Sequence, residues 1–165
     1  MFKNCVLKSL FVFLLTVSNV TIAASSATCV PVKLKSDNKN IILVGDDKPH
    51  TNQIFFMKNI SQQSLWVDHP VLKSSAHAGW SSYFQPGKWS VLLVNRKEFI
   101  LSCAVIEPGK VNYQDCQKVI SVCAMPQVTF ESKRKGSYWL AEDKEWDDLL
   151  NALDKRGVKL SSVKN

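Results

Sequence analysis

Residues 79–123, GWSSYFQPGKWSVLLVNRKEFILSCAVIEPGKVNYQDCQKVISVC, leave this chain few ways to fold. Apolar and aromatic runs alternate there with turn signals: Gln85-Pro86-Gly87-Lys88, Asn95-Arg96-Lys97 and Glu107-Pro108-Gly109-Lys110. Proline pre-sets φ at the first central position of such a turn, and glycine accepts the positive φ that follows. Between the turns, 89–94 (WSVLLV) and 99–106 (FILSCAVI) are continuously apolar, as central strands are. Short strands at intervals of about ten residues predict a mainly β, single-domain antiparallel β-sandwich or partly open barrel.

The flanking residues fit that frame. Residues 29–35 (CVPVKLK) alternate apolar and polar, and Pro31 marks an edge strand. Ile41-Ile42-Leu43-Val44 reads as a buried strand. Residues 53–60 (QIFFMKNI) and 64–67 (SLWV) flank Ser61-Gln62-Gln63 and predict a β-hairpin. Residues 111–116, 118–124 and 127–131 read as further strands. The last element is a helix within 143–157, with Asp143 or a neighbour as cap. Trp146, Leu149, Leu150 and Leu153 share one face, and Gly157 is the stop. A helix this short is unstable alone and must dock on the sheets.

The N-terminus carries export features. Lys3 and Lys8 precede the apolar run LFVFLLTV, and Thr21-Ile22-Ala23 closes it. Residues 1–23 therefore read as a cleaved secretory signal peptide, cut after Ala23 or Ala24. The apolar run is short against the roughly 20 residues of a membrane span, so no stable span is expected after cleavage. Cleavage removes Lys3 and Lys8 and no acid, taking the net charge from +7 to +5. That excess, with Lys133-Arg134-Lys135 as its densest cluster, is too weak a signature for nucleic acid.

Cys5 leaves with the signal, so Cys29, Cys103, Cys116 and Cys123 remain, an even number in an oxidising compartment. Four cysteines allow three pairings. If Pro108-Gly109 is the loop, counting back places Cys103 opposite Gln114, a diagonal neighbour of Cys116. The two are within disulfide reach if the strands twist or bulge. That pairing leaves Cys29 with Cys123.

Candidate chemistry is sparse. Asp68-His69 invites a catalytic reading with Ser81 or Ser82 as nucleophile. Adjacent strand residues point to opposite faces, however, and no nucleophile-elbow motif is present. His50, His69 and His77 match no metal-ligand spacing, so no metal or other cofactor is expected. Trp66, Trp80 and Trp89, with Tyr83 and Phe84, could form an aromatic platform for a glycan or peptide, although aromatics at strand positions are more often core. Asp68, His69, Trp80 and Tyr83 are the candidate binding surface; if any of the tryptophans is exposed, Trp80 is the one expected, because it follows a small-residue loop.

Several segments resemble the enhanced-entry protein EnhB family of intracellular bacterial pathogens. They are Lys58-Asn59-Ile60-Ser61, Leu65-Trp66-Val67-Asp68-His69-Pro70, Ala78-Gly79-Trp80-Ser81-Ser82, Pro86-Gly87-Lys88-Trp89-Ser90, Leu101-Ser102-Cys103, and Asp115-Cys116 through to Cys123. The likeness continues through Lys135-Gly136-Ser137-Tyr138-Trp139-Leu140-Ala141 to Trp146-Asp147. The resemblance implies an exported envelope protein linked to host-cell entry and virulence, and supplies no catalytic residues. The expectation is a non-enzymatic periplasmic or secreted interaction module whose partners are envelope proteins or cell-wall polymer. A small peptidoglycan- or envelope-acting hydrolase and a hydrolase inhibitor are the competing expectations.

Overall fold

The computed structural model describes residues 29–45, 53–70, 81–125, 128, 130 and 136–158. In chain order they form β1 (Val30–Pro31), β2 (Lys35–Asp37), β3 (Asn40–Val44), β4 (Gln53–Asn59), β5 (Leu65–Asp68), β6 (Ser81–Phe84), β7 (Trp89–Val94), β8 (Glu98–Glu107) and β9 (Lys110–Gln114). There follow α1 (Cys116–Val119), β10 (Ile120–Ala124), β11 (Tyr138–Lys144) and α2 (Trp146–Asp154). One five-stranded sheet has the order β1-β10-β4-β7-β11; a six-stranded sheet has β2-β3-β8-β5-β6, with β9 also paired to β8. The strand pairs are antiparallel, and the two sheets do not close into a barrel.

The apolar pattern explains the layering. β4 and β7 are apolar on both faces, so the first sheet is the middle layer. Phe55, Met57, Leu92 and Val94 on one side meet Ile41, Leu65, Phe99 and Leu101 of the second sheet. On its other side Ile54, Phe56, Val91 and Leu93 meet Leu149, Leu153 and Val158. The second sheet is buried along its inner face, and β8 also buries Ser102 and Ala104 on the outer one. Its strands β5 and β6 alternate buried with exposed or half-buried positions, the period-two signature of a sheet with one wet face.

The helix is seated by a polar strap. The Lys88 ammonium pairs with Glu145. The Gln85 N–H donates to Asp143 Oδ1 at 2.9 Å, and the Asp143 N–H donates to Ser90 Oγ at 3.2 Å. Asp143 takes a left-handed φ of 49° inside β11, so Glu145 rather than Asp143 is the N-cap. Gly157, at φ 79°, closes the helix in a Schellman turn, with Val158 N–H to Leu153 O at 3.0 Å and Gly157 N–H to Asp154 O at 2.8 Å.

Two disulfides staple the sandwich, Cys29–Cys123 and Cys103–Cys116, with Cα separations of 5.5 and 5.3 Å. Cys103 does face Gln114. The β8–β9 register runs without a bulge, and the remaining distance is closed after β9 ends. Asp115 accepts the Gln117 N–H at 3.2 Å and caps the single turn α1, which lifts Cys116 out of the line of β9 and delivers it beneath β8.

Three local expectations are corrected. The segments 53–60 and 64–67 form no hairpin: β4 pairs with β7 and β10 in the first sheet, β5 with β6 and β8 in the second. Asn59 is fully buried and holds the crossing, its Nδ2 donating to Gln63 O and Phe84 O at 2.8 Å each. Its Oδ1 accepts from Ser61 N–H at 2.9 Å and Ser61 Oγ at 2.7 Å. Residues 29–35 are not one strand. After Pro31 and a last bond from Val32 N–H to Val122 O, the chain leaves the first sheet and starts β2 in the second. The strands expected over 111–116 and 118–124 are separated by α1, so the first ends at Gln114 and the second begins only at Ile120. Of the strand expected at 127–131, only Val128 and Phe130 lie among the described residues.

Candidate functional site

The outer face of the second sheet is where the chain leaves large side chains in solvent. Cross-strand register lines up Tyr83 (β6) with Trp66 (β5), Trp66 with Ala104 (β8), and Ala104 with Tyr113 (β9). These positions form one row across four strands. Trp66, Tyr83 and Tyr113 are 38, 50 and 54% exposed, whereas Ala104 between them is 1% exposed. A small buried residue thus lies between large, partly exposed aromatic side chains in the same row. Ile106 and Val111, a register pair nearer the Pro108-Gly109 turn, continue the apolar surface.

A parallel row is polar. Asp68 stands between Ser81 and Ser102 in register, and Ser102 Oγ donates to Asp68 Oδ1. At the β9 end, Tyr113 lines a shallow recess with Asn38, Lys39 and Asn40, and the Lys39 ammonium donates to Tyr113 O at 2.9 Å. Among the described residues the charge on this face is near balance. Lys35 pairs with Glu98 at 3.6 Å, and Asp37, Asp68 and Lys39 are the other ionised groups that register and contacts place there.

The sequence candidates divide accordingly. Asp68 and Tyr83 share the outer face. His69 does not: its ring stacks on buried Phe99 at a centroid distance of 4.2 Å, and its Nδ1 lies 2.7 Å from Ile100 O. A carbonyl only accepts, so Nδ1 carries the proton and donates. Asp68 thus bonds Ser102 on one face while His69 stacks on the other, and the carboxylate does not orient the imidazole. Ser82 is buried, with Oγ donating to Glu142 Oε2 at 3.1 Å, and Ser81 is exposed on the outer face. The structure does not bring His69, Asp68 and either serine together.

Of the aromatic candidates, Trp66 and Tyr83 are surface and Phe84 is core. Trp89 packs on Trp146 with ring centroids 4.6 Å apart, and the Lys58 ammonium lies 5.5 Å from its ring. Trp80, His50 and His77 lie outside the described residues. Among the described residues no group of three or more His, Cys, Asp or Glu side chains could hold a metal ion, and no helix is long and apolar enough to cross a membrane. Tyr113 was missed by sequence reasoning. The signal for it was present, since the register counted back from Pro108-Gly109 sets Tyr113 opposite Ala104.

No family model, curated protein or solved structure matches the chain. The fold and this face define a disulfide-stapled β-sandwich with one side covered by α2 and the other left uncovered among the described residues.

Proposed function

We propose that the chain is an exported, non-enzymatic binding module of the bacterial envelope, acting in the periplasm or after secretion, and that it supports host-cell entry. The observation that carries the reading is the open outer face of the second sheet, where Trp66, Tyr83, Tyr113, Ile106 and Val111 stay exposed on a rigid framework. Contiguous exposed apolar surface rimmed by polar groups is the usual mark of an interaction site. The export features of residues 1–23 and two disulfides fit an oxidising compartment. The resemblance to the EnhB family supplies the setting. The partners of such a module are envelope proteins or cell-wall polymer.

The test is fractionation of the tagged full-length chain in a Gram-negative host, N-terminal sequencing of the product, and an entry assay with a deletion strain. The expected product starts at Ala24 or Ser25 in the periplasmic or secreted fraction. Entry falls on deletion and is not restored by a Trp66→Ala/Tyr83→Ala/Tyr113→Ala triple variant. An uncleaved cytoplasmic product, or entry unchanged by deletion, overturns the reading.

A further inference from the structure

We infer that the row Tyr83, Trp66, Tyr113 is a carbohydrate-binding platform that seats a polysaccharide strand laid across β6, β5, β8 and β9. The inference rests on the binding-module reading and names its ligand.

A pyranose ring has an apolar C–H face and a rim of hydroxyls. Its recognition needs aromatic faces for the first and hydrogen-bonding groups at the edge for the second. Both are present in register. Strands lie about 4.8 Å apart, so the row spans roughly 14 Å, with Trp66 and Tyr113 two spacings apart over the small Ala104. That separation suits successive sugar rings along one chain. The polar row runs beside it: Asp68 accepts one bond from Ser102 and keeps further lone pairs for sugar hydroxyls, and Ser81 adds a hydroxyl. Asn38 and Asn40 bring amides to the recess at Tyr113.

Charge selects among polymers. The face carries both signs in near balance, with Lys35 neutralised by Glu98 and Lys39 bonded to a backbone carbonyl. Among the described residues this face has no basic stripe for an anionic polymer, and Asp68 repels one. A sugar chain whose contacts are hydroxyls and C–H faces complements this charge pattern. The rigid sheet adds little ordering entropy on binding.

The experiment uses the signal-cleaved chain with both disulfides intact. Purified peptidoglycan sacculi serve as a sedimentation probe, and chito- and cello-oligosaccharides as calorimetric probes. Saturable binding to at least one probe is expected, weakened about tenfold by each of Trp66→Ala and Tyr113→Ala and less by Tyr83→Ala and Asp68→Asn. Ile60→Ala, exposed at the end of β4 in the other sheet, leaves binding unchanged. Circular dichroism and non-reducing electrophoresis identify any variant that fails to fold, and the remaining variants carry the test. Absence of saturable binding to every probe, or binding equal in all the row variants, overturns the proposal.

Crosslinking separates this failure from that of the parent reading. If no sugar binds but Trp66→Ala or Tyr113→Ala abolishes a crosslinked partner or a concentration-dependent dimer, the glycan assignment falls and the binding face stands. If the variants change neither sugar binding nor crosslinks, both fall.

Discussion

The two outer faces of this sandwich have opposite fates. The first sheet lies under α2: Phe56 packs against Trp146 with ring centroids 5.7 Å apart, and Leu149 and Leu153 are fully buried. The second sheet has no such cover among the described residues and carries Trp66, Tyr83 and Tyr113 in solvent. Burial of an aromatic side chain stabilises a fold by a few kcal/mol, so leaving three on one open face forgoes that gain. The difference teaches that apolar character alone does not assign a role here. The same residue types serve cohesion where a helix covers them and stay partly exposed where none of the described elements does.

The contrast can be broken in graded steps. Each sheet has one disulfide, and their loops differ. Loss of Cys29–Cys123, which closes a separation of 94 residues, is expected to cost about 4.7 kcal/mol in the chain-entropy picture; loss of Cys103–Cys116, with a separation of 13, about 3 kcal/mol. Guanidinium unfolding of the two double-alanine variants should rank them in that order, and a reversed ranking would show that packing around Cys103 outweighs loop closure. Phe56→Ala, under the helix, should lower stability by about 3–5 kcal/mol in the same assay.

Smaller effects sharpen the comparison. Asn59→Ala strands the carbonyls of Gln63 and Phe84 at the crossing between sheets and should cost about 1–3 kcal/mol by urea unfolding. Trp66→Ala should cost about 1 kcal/mol, well below Phe56→Ala, because more than a third of its surface is already in solvent. A loss as large as that of Phe56→Ala would mean the row is structural. The smallest effect belongs to the strap. The hydrogen bond to Glu145 holds the Lys88 pKa above its ordinary 10.5, against a burial effect that lowers it. A folded-state value above the unfolded one stabilises fully below about 10.5 and is lost as pH rises through the raised value. Lys88→Met should therefore narrow its gap to the native chain above that pH in alkaline thermal melts.

Much of the fold was legible from short-range signals. The Pro-Gly turns and apolar runs defined β7, β8 and β9, and the heptad-like spacing of Trp146, Leu149 and Leu153 defined α2. The register across Pro108-Gly109 was countable, so Cys103 opposite Gln114 followed. The misplaced elements share a cause. A hairpin between 53–60 and 64–67 and a single strand over 29–35 both assumed that neighbours in sequence stay in one sheet. Asn59 and the segment after Pro31 instead carry the chain from sheet to sheet. The candidate site was half legible for the same reason. Trp66, Tyr83 and Asp68 were singled out, but joining Tyr113 to them depends on β5 pairing with β8, a contact between residues far apart in the chain.

By itself the sequence determined the β class, the turn positions, the docking face of the last helix and an even set of cysteines from Cys29 onward. Those follow from the period of apolar residues and the backbone preferences of proline and glycine, which act over a few neighbours. Tertiary structure decided which sheet each strand joined, which face α2 covered, and which aromatics were left in water. Strand pairing and layer packing are long-range choices among alternatives that local propensity leaves nearly equal, and only the joint burial of both sheets separates them.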